Sequence, residues 1–387
     1  MVLCISSTLM LDRAPEMRAA QALSLTQVGH WGSDSSSWDG HVLAMSGSHV
    51  FAAAQFDGLR VFDVGGGRQF VSVGDYLRGS YVCGVAVSES HAYVAAYGDG
   101  VHVFDIGNRE HLVHVGHYPD WSVATRVEVS GKYAYVAYGE PGPTSVGGGI
   151  LIVDISNPAR ASLAGTYWTD QAVGGPIAVS GNRAYLSTRD KALQVVDVSN
   201  PSEPALLGTY DTGGYAIVGV RVSGTYAYLA ATEAGFHVVD VSQPSTPVLV
   251  GRCGNQSWQT TDVALTGNLA CVTVFGSSPF EAGLQLVDTT VPSHPVRVGC
   301  YNPLRGDRME YDGVAVSGGY AYVVDWWSGL QAIDIRNPQR SLRVGSFDKE
   351  GAAEDVAVSG SYAFVADDWA GLQVIDVRDR TKPVRVG

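Results

Sequence analysis

The chain has 387 residues, of which 45% are hydrophobic and 16% charged, with 47 glycines and a formal net charge of −13. That balance excludes a disordered chain, and its acidity argues against nucleic acid and anionic lipid as partners. The five cysteines (Cys4, Cys83, Cys253, Cys271 and Cys300) include no CxxC pair and are odd in number, so neither a disulfide framework nor a structural zinc site is expected.

In chain order, residues 1–24 read as an N-terminal extension or the remnant of a signal peptide. Residues 2–11 are apolar and Ala20-Gln21-Ala22 has a small-x-small form, but Asp12, Arg13, Glu16 and Arg18 lie between them. No run of 18 apolar residues occurs, so no membrane insertion is expected.

Residues 25–387 read as one domain of tandem repeats. Four short segments recur in fixed order, seen as VAVSG at Val314–Gly318, AYVA at Ala92–Ala95, GLQVIDV at Gly371–Val377 and PVRVG at Pro383–Gly387. The third segment carries an Asp near its end each time: Asp63, Asp105, Asp154, Asp197, Asp240, Asp288, Asp334 and Asp376. Segments rich in Val, Ile, Tyr and Leu, bounded by Gly, Pro, Ser or Asn, are strands punctuated by turns. Four strands per period of about 40 to 50 residues predict an all-β, eight-bladed β-propeller with four antiparallel strands per blade. A terminal strand is expected to close it, either Leu25–Gly29 or Pro383–Gly387.

The run from Ala192 to Ala216 and the stretch Ile150-Leu151-Ile152-Val153-Asp154 resemble the bacterial and archaeal LVIVD-repeat proteins. The resemblance covers all eight repeats. It implies a propeller, commonly in envelope or extracellular proteins, and no common activity.

In such a fold, the connections from strand four to the next strand one, and from strand two to strand three, share one face, called the top. All eight tryptophans fall in these connections: Trp31, Trp38, Trp121, Trp168, Trp258, Trp326, Trp327 and Trp369. A Trp near a strand end often packs against the next blade, but the one-sided set favours a binding surface. Carboxylates crowd the same face in repeats six to eight, and aromatics interleaved with them suit a glycan, a small cationic ligand or a protein partner. The candidate ligand contacts are Trp326, Trp327, Trp369, Tyr311, Asp262, Asp355, Asp368, His41 and Arg189. Glu354, Asp355 and Asp368 are the candidates for Ca²⁺, and no other cofactor is expected.

The preferred reading is a binding scaffold. One alternative is a lyase, hydrolase or cyclase with an acid–base site at the top of a central channel. Its candidates are Glu354 and Asp312, with Arg126 and Arg308 stabilising an anion. The other alternative is a passive surface spacer. The recurring Asp residues read as caps of turns, not as eight catalytic sites. The third strands carry a mostly polar register that includes His102 and His237, expected to lie between blades. The histidines are expected to scatter, without converging on a metal.

Overall fold

The repeat segments are apolar on both sides of the strand, and each buries its two faces against different neighbours. In the second strand His91–Ala96, Ala92, Val94 and Ala96 pack into one apolar cluster with Phe51, Leu59 and Val61 of the preceding repeat. The alternate residues Tyr93 and Ala95 join Val127, Val136 and Val153 of the following repeat. Period-two alternation thus directs one segment into two cores.

A computed structural model describes residues 42–387, apart from 47–48, 54–57, 64–70, 89, 109–110, 121–122, 140–146, 172, 189–190, 256–257, 276–281, 303–310, 326–328, 348–352, 368–370 and 387. These residues form eight four-stranded antiparallel sheets, each with its strands in sequence order. They are called sheets 1 to 8 in chain order. The first strands of successive sheets pack against one another, and Val42–Ser46 of sheet 1 also packs against Ala353–Ser359 of sheet 8. The first strands are therefore innermost and the fourth strands form the rim. No helix among the described residues is long and apolar enough to cross a membrane.

In sheet 8 the fourth strand is Val384–Arg385, which pairs with Gly371–Asp376. The expected alternative, Leu25–Gly29, lies outside the described residues, and the C-terminal segment holds that slot.

The recurring glycine of the rim strand has a steric cause. In sheets 1 to 7 the pairing of strands three and four shifts by one residue at the same place, immediately before that glycine. Such a bulge bends the rim strand, and the next sheet's lower turn seats on the glycine. A Cβ on Gly116 would lie 1.9 Å from the Pro158 carbonyl oxygen, and on Gly299 1.7 Å from that of Pro338. Gly165, Gly208, Gly251 and Gly345 meet the next sheet's backbone in the same way. Gly299→Ala is therefore expected to lower unfolding free energy by about 1–3 kcal/mol through overpacking. Urea denaturation checks this, and an unchanged midpoint would show that the two backbones separate freely.

Seven of the eight recurring Asp residues cap turns, as expected, and the turn after Asp63 lies outside the described residues. Asp105, Asp154, Asp197, Asp240, Asp288, Asp334 and Asp376 each accept the N–H of the residue two further on, at 2.7–3.0 Å. Hydroxyls of Ser156 and Thr290 add second bonds, which hold Asp154 and Asp288 below the ordinary carboxylate range.

Candidate functional site

Each first strand carries a residue between two apolar positions that face neighbouring sheets. In six sheets it is alanine: Ala44, Ala86, Ala178, Ala264, Ala315 and Ala357. Sheet 3 has Glu128 there and sheet 5 has Arg221. Two residues earlier stand Arg126 in sheet 3 and Asp262 in sheet 6. A charge set into a ring of methyl groups is costly unless it is paired, and these charges find one another.

Asp262 is fully buried. Its Oδ1 accepts the Val263 N–H at 2.7 Å, and its Oδ2 accepts the Val314 N–H of sheet 7 at 3.3 Å. Arg221 Nη2 stands 3.7 Å from Asp262 Oδ1, and its Nη1 donates to the Val220 carbonyl at 2.8 Å. Arg221 is itself only 11% exposed, and among the described residues its Nη2 has no hydrogen-bond partner. One carboxylate thus ties sheets 5, 6 and 7 together. Gly219 leaves the space it occupies, since a Cβ there would lie 3.1 Å from Asp262 Oδ1.

Burial pushes the Asp262 carboxyl up to about 6, with Arg221 and the two amides working against that rise. Burial pushes Glu128 up to about 8, again opposed by Arg221. Glu128 is ringed by protein but keeps part of its surface accessible. At pH 7 Asp262 is mostly ionised and is the counter-charge of Arg221, whereas Glu128 is mostly protonated.

Arg126 sits further along the strand from Glu128. Its Nη1 donates to the Thr125 carbonyl at 3.0 Å and to the Cys83 carbonyl of sheet 2 at 3.5 Å. Burial pushes the Cys83 thiol up to about 12, tempered by Arg126, so it is not a ready nucleophile.

Two of the candidates read from sequence are thus placed with their side chains, Arg126 and Asp262. The position of Asp262 corrects the expectation of a ligand contact on the top surface: it is a buried tie between sheets. Tyr311 and Asp312 lie in the first strand of sheet 7 and Glu354 and Asp355 in that of sheet 8, with side chains outside the described residues. His41, Arg189, Arg308, Trp326, Trp327, Asp368 and Trp369 lie wholly outside them. Glu128 and Arg221 were not singled out from sequence. Their signal was an alanine register broken twice, by opposite charges.

The tryptophan set divides. Trp168 belongs to a rim strand and is 55% exposed. Trp258 lies in the expected connection but is buried, packed with Phe236, Val263 and Val274. Trp31, Trp38 and Trp121 are outside the described residues. The third-strand polar register also divides. Gln194 and His237 lie between sheets as expected, bonded to Tyr167 and Tyr210 of the preceding rim strand at 2.8 Å each. His102 instead meets His114 and His117 of its own sheet, so the expectation that histidines scatter is overturned there. Burial, with His117 nearby, lowers His102 to about 4.

A family model described as the LVIVD repeat matches seven times, at residues 79–120, 123–169, 175–212, 213–255, 259–303, 311–348 and 350–387. Sheet 1 is left unmatched. No curated protein matches the chain. Among solved structures it is similar to BamB from Moraxella catarrhalis, with 13% identity, a TM-score of 0.64, and coverage of 86% of this chain and 95% of that one. Sqt1 from Chaetomium thermophilum is similar at 11% identity and TM-score 0.67, covering 85% of this chain and 93% of that one. The same Sqt1 bound to the N-terminus of the ribosomal protein L10 gives 12% identity, TM-score 0.62 and the same coverage. At these identities the likeness shows the β-propeller fold alone. With the repeat matched over more than half of its length, the chain belongs to the LVIVD-repeat family.

Proposed function

We propose that the eight sheets are the blades of one closed ring, and that the protein is a binding scaffold. Its partner, a glycan, a small ligand or a protein, docks on the top face over sheets 6 to 8. The observation that carries this reading is where the repeats differ. In sheets 3 to 8 their lower ends are uniform, a capped Asp turn seated on the neighbouring rim glycine. The upper ends of the first strands carry Cys83, Thr125, Gly175, Val218 and Thr261 at one register. Variation at the mouth of a uniform ring is how a rigid scaffold acquires one binding site. The contact between sheets 1 and 8 supports closure, and the Sqt1 complex shows a propeller used as a scaffold for a peptide.

Asp262, the one candidate carboxylate whose side chain is described, is unavailable for acid–base chemistry because it spends its oxygens on two amides and Arg221, which favours the binding role. The family resemblance favours the cell envelope or the outside of the cell for such a protein. The test is calorimetric titration with oligosaccharides, quaternary amines and Ca²⁺, with and without chelator. At least one probe is expected to saturate on the wild type and to bind at least tenfold more weakly to a Trp326→Phe, Trp327→Phe, Trp369→Phe variant. Equal binding by both proteins would remove the top face from the proposal.

A further inference from the structure

We propose that Asp99, His102 and His117 form a site for a borderline divalent transition ion, Zn²⁺ by chemical class, on the upper outer part of sheet 2. Asp99 is in the turn between the second strand His91–Ala96 and the third strand Gly100–Asp105. His102 lies in that third strand and His117 in the rim strand Val113–Tyr118, directly opposite each other in register. Their rings stack at 4.2 Å with only 11° between planes. His102 Nε2 lies 3.1 Å from Asp99 Oδ2, and His117 Nε2 lies 3.4 Å from Oδ1 and 2.6 Å from the Asp99 carbonyl oxygen, a hydrogen bond that an ion replaces. One ligand atom from each of the three residues falls within a 4.8 Å group. A tetrahedral ion with bonds of about 2.0–2.1 Å holds its ligands about 3.3 Å apart, so the two measured edges have the right length; because an imidazole binds an ion in its own ring plane, the partly exposed His117 ring turns out of the stack to complete the site.

Three features separate this group from a chance cluster. His102 is supported from behind: its Nδ1 lies 3.1 Å from His114 Nε2. Without an ion, His102 Nε2 donates to the Asp99 carboxylate; an ion takes that proton's place, and Nδ1 then donates to His114 Nε2 and holds the ring in the binding tautomer. The donors also have graded access. His102 is buried, whereas the side chains of His117 and Asp99 are 32% and 45% exposed, so an ion can enter and keep water in its fourth position. Finally, among the described pairs at the positions of His102 and His117, no other joins two imidazoles: the rest are Arg60 and Asp75, Leu151 and Thr166, Gln194 and Thr209, His237 and Arg252, Gln285 and Cys300, and Gln331 and Ser346. Two imidazoles and a carboxylate are the donor set of open three-ligand metal sites.

The experiment is isothermal titration of tag-free, chelator-stripped full-length protein with ZnCl₂, alongside Co²⁺ absorption spectroscopy. One equivalent of Zn²⁺ is expected to bind, with Co²⁺ giving the visible bands of a tetrahedral N/O site. Asp99→Asn and His117→Gln change partly exposed side chains and are expected to weaken binding at least tenfold. His114→Gln, one step removed from the ion, is expected to weaken it about 10–100-fold. Melting curves in chelator establish that each variant is folded. Saturation equal to wild type in the Asp99→Asn, His117→Gln double variant would overturn the proposal, as would no saturable wild-type binding up to 100-fold excess Zn²⁺.

Discussion

Arg221→Met is expected to lower unfolding free energy by about 3–5 kcal/mol at pH 8, the cost of removing one partner from a buried ion pair. Asp262 is the reason. It has no exposed surface, and Arg221 is the cation beside it. Glu128→Ala should do the opposite or nothing, because it restores the residue that six other first strands carry. The effects depend on pH with a definite sign. The folded Asp262 carboxyl titrates at about 6 and the unfolded one near its ordinary 3.8. Between those values the folded chain holds a proton that the unfolded chain releases, so this group's contribution is greatest below 3.8 and falls as pH rises to 6. Glu128 behaves alike between 4.5 and about 8. The Arg221→Met penalty should therefore shrink on acidification toward pH 4, as Asp262 takes up its proton. His102 and His237, both lowered to about 4 chiefly by burial, act the other way. They stay neutral when folded, so stability is lost as pH falls from 6.5 toward 4. Because both proteins share those histidines, the difference between their urea midpoints across pH 4–9 isolates the carboxylates. A penalty below 1 kcal/mol at pH 8, or one constant across that range, would contradict the pairing.

Trp258→Ala is expected to cost about 3–5 kcal/mol, the range for deleting a buried aromatic. The indole is 2% exposed and packs against Phe236 and Val263. Gly254 lies against its other side: a Cβ there would sit 2.5 Å from Trp258 Cε3. The Arg297 guanidinium lies 6.0 Å from the ring centroid and covers it further. Trp168→Ala, by contrast, removes a half-exposed ring and should stay within about 0.5 kcal/mol. Guanidinium denaturation of the two variants side by side separates a core tryptophan from a surface one. Near-equal losses would mean that the connection before sheet 6 opens enough to expose the indole.

Repeats are legible because they repeat: the capped Asp and the rim glycine recur wherever the same packing demand recurs. What sequence position cannot convey is depth. Trp168 stands at the end of a rim strand and Trp258 in the connection that follows one, yet the first ring is exposed and the second buried. Asp262 looks like an acidic residue at a loop mouth, but it lies one step inside the strand, where every direction leads to protein. The histidines were misjudged for a related reason. His114 and His117 lie more than ten residues from His102, and only the hairpin register folds them back onto it. Glu128 and Arg221 stand at a register that is otherwise alanine, not at one that varies widely. A register constant in six copies and charged in two is the sharper signal.

The bulge beside each rim glycine also governs how the molecule meets copies of itself. Every sheet ends in an outer strand whose far side has no partner within its sheet, and these strands expose aliphatic residues such as Val113, Val248, Val296, Leu342 and Val384. Long, flat apolar edges of this kind recruit strands from other molecules. Here the extra residue breaks the straight run of free amides and carbonyls midway in sheets 1 to 7, and exposed Arg252, Arg297, Arg343 and Arg385 set like charges along the same edges. The feature that locks neighbouring sheets together thus also keeps separate molecules from growing into a continuous sheet.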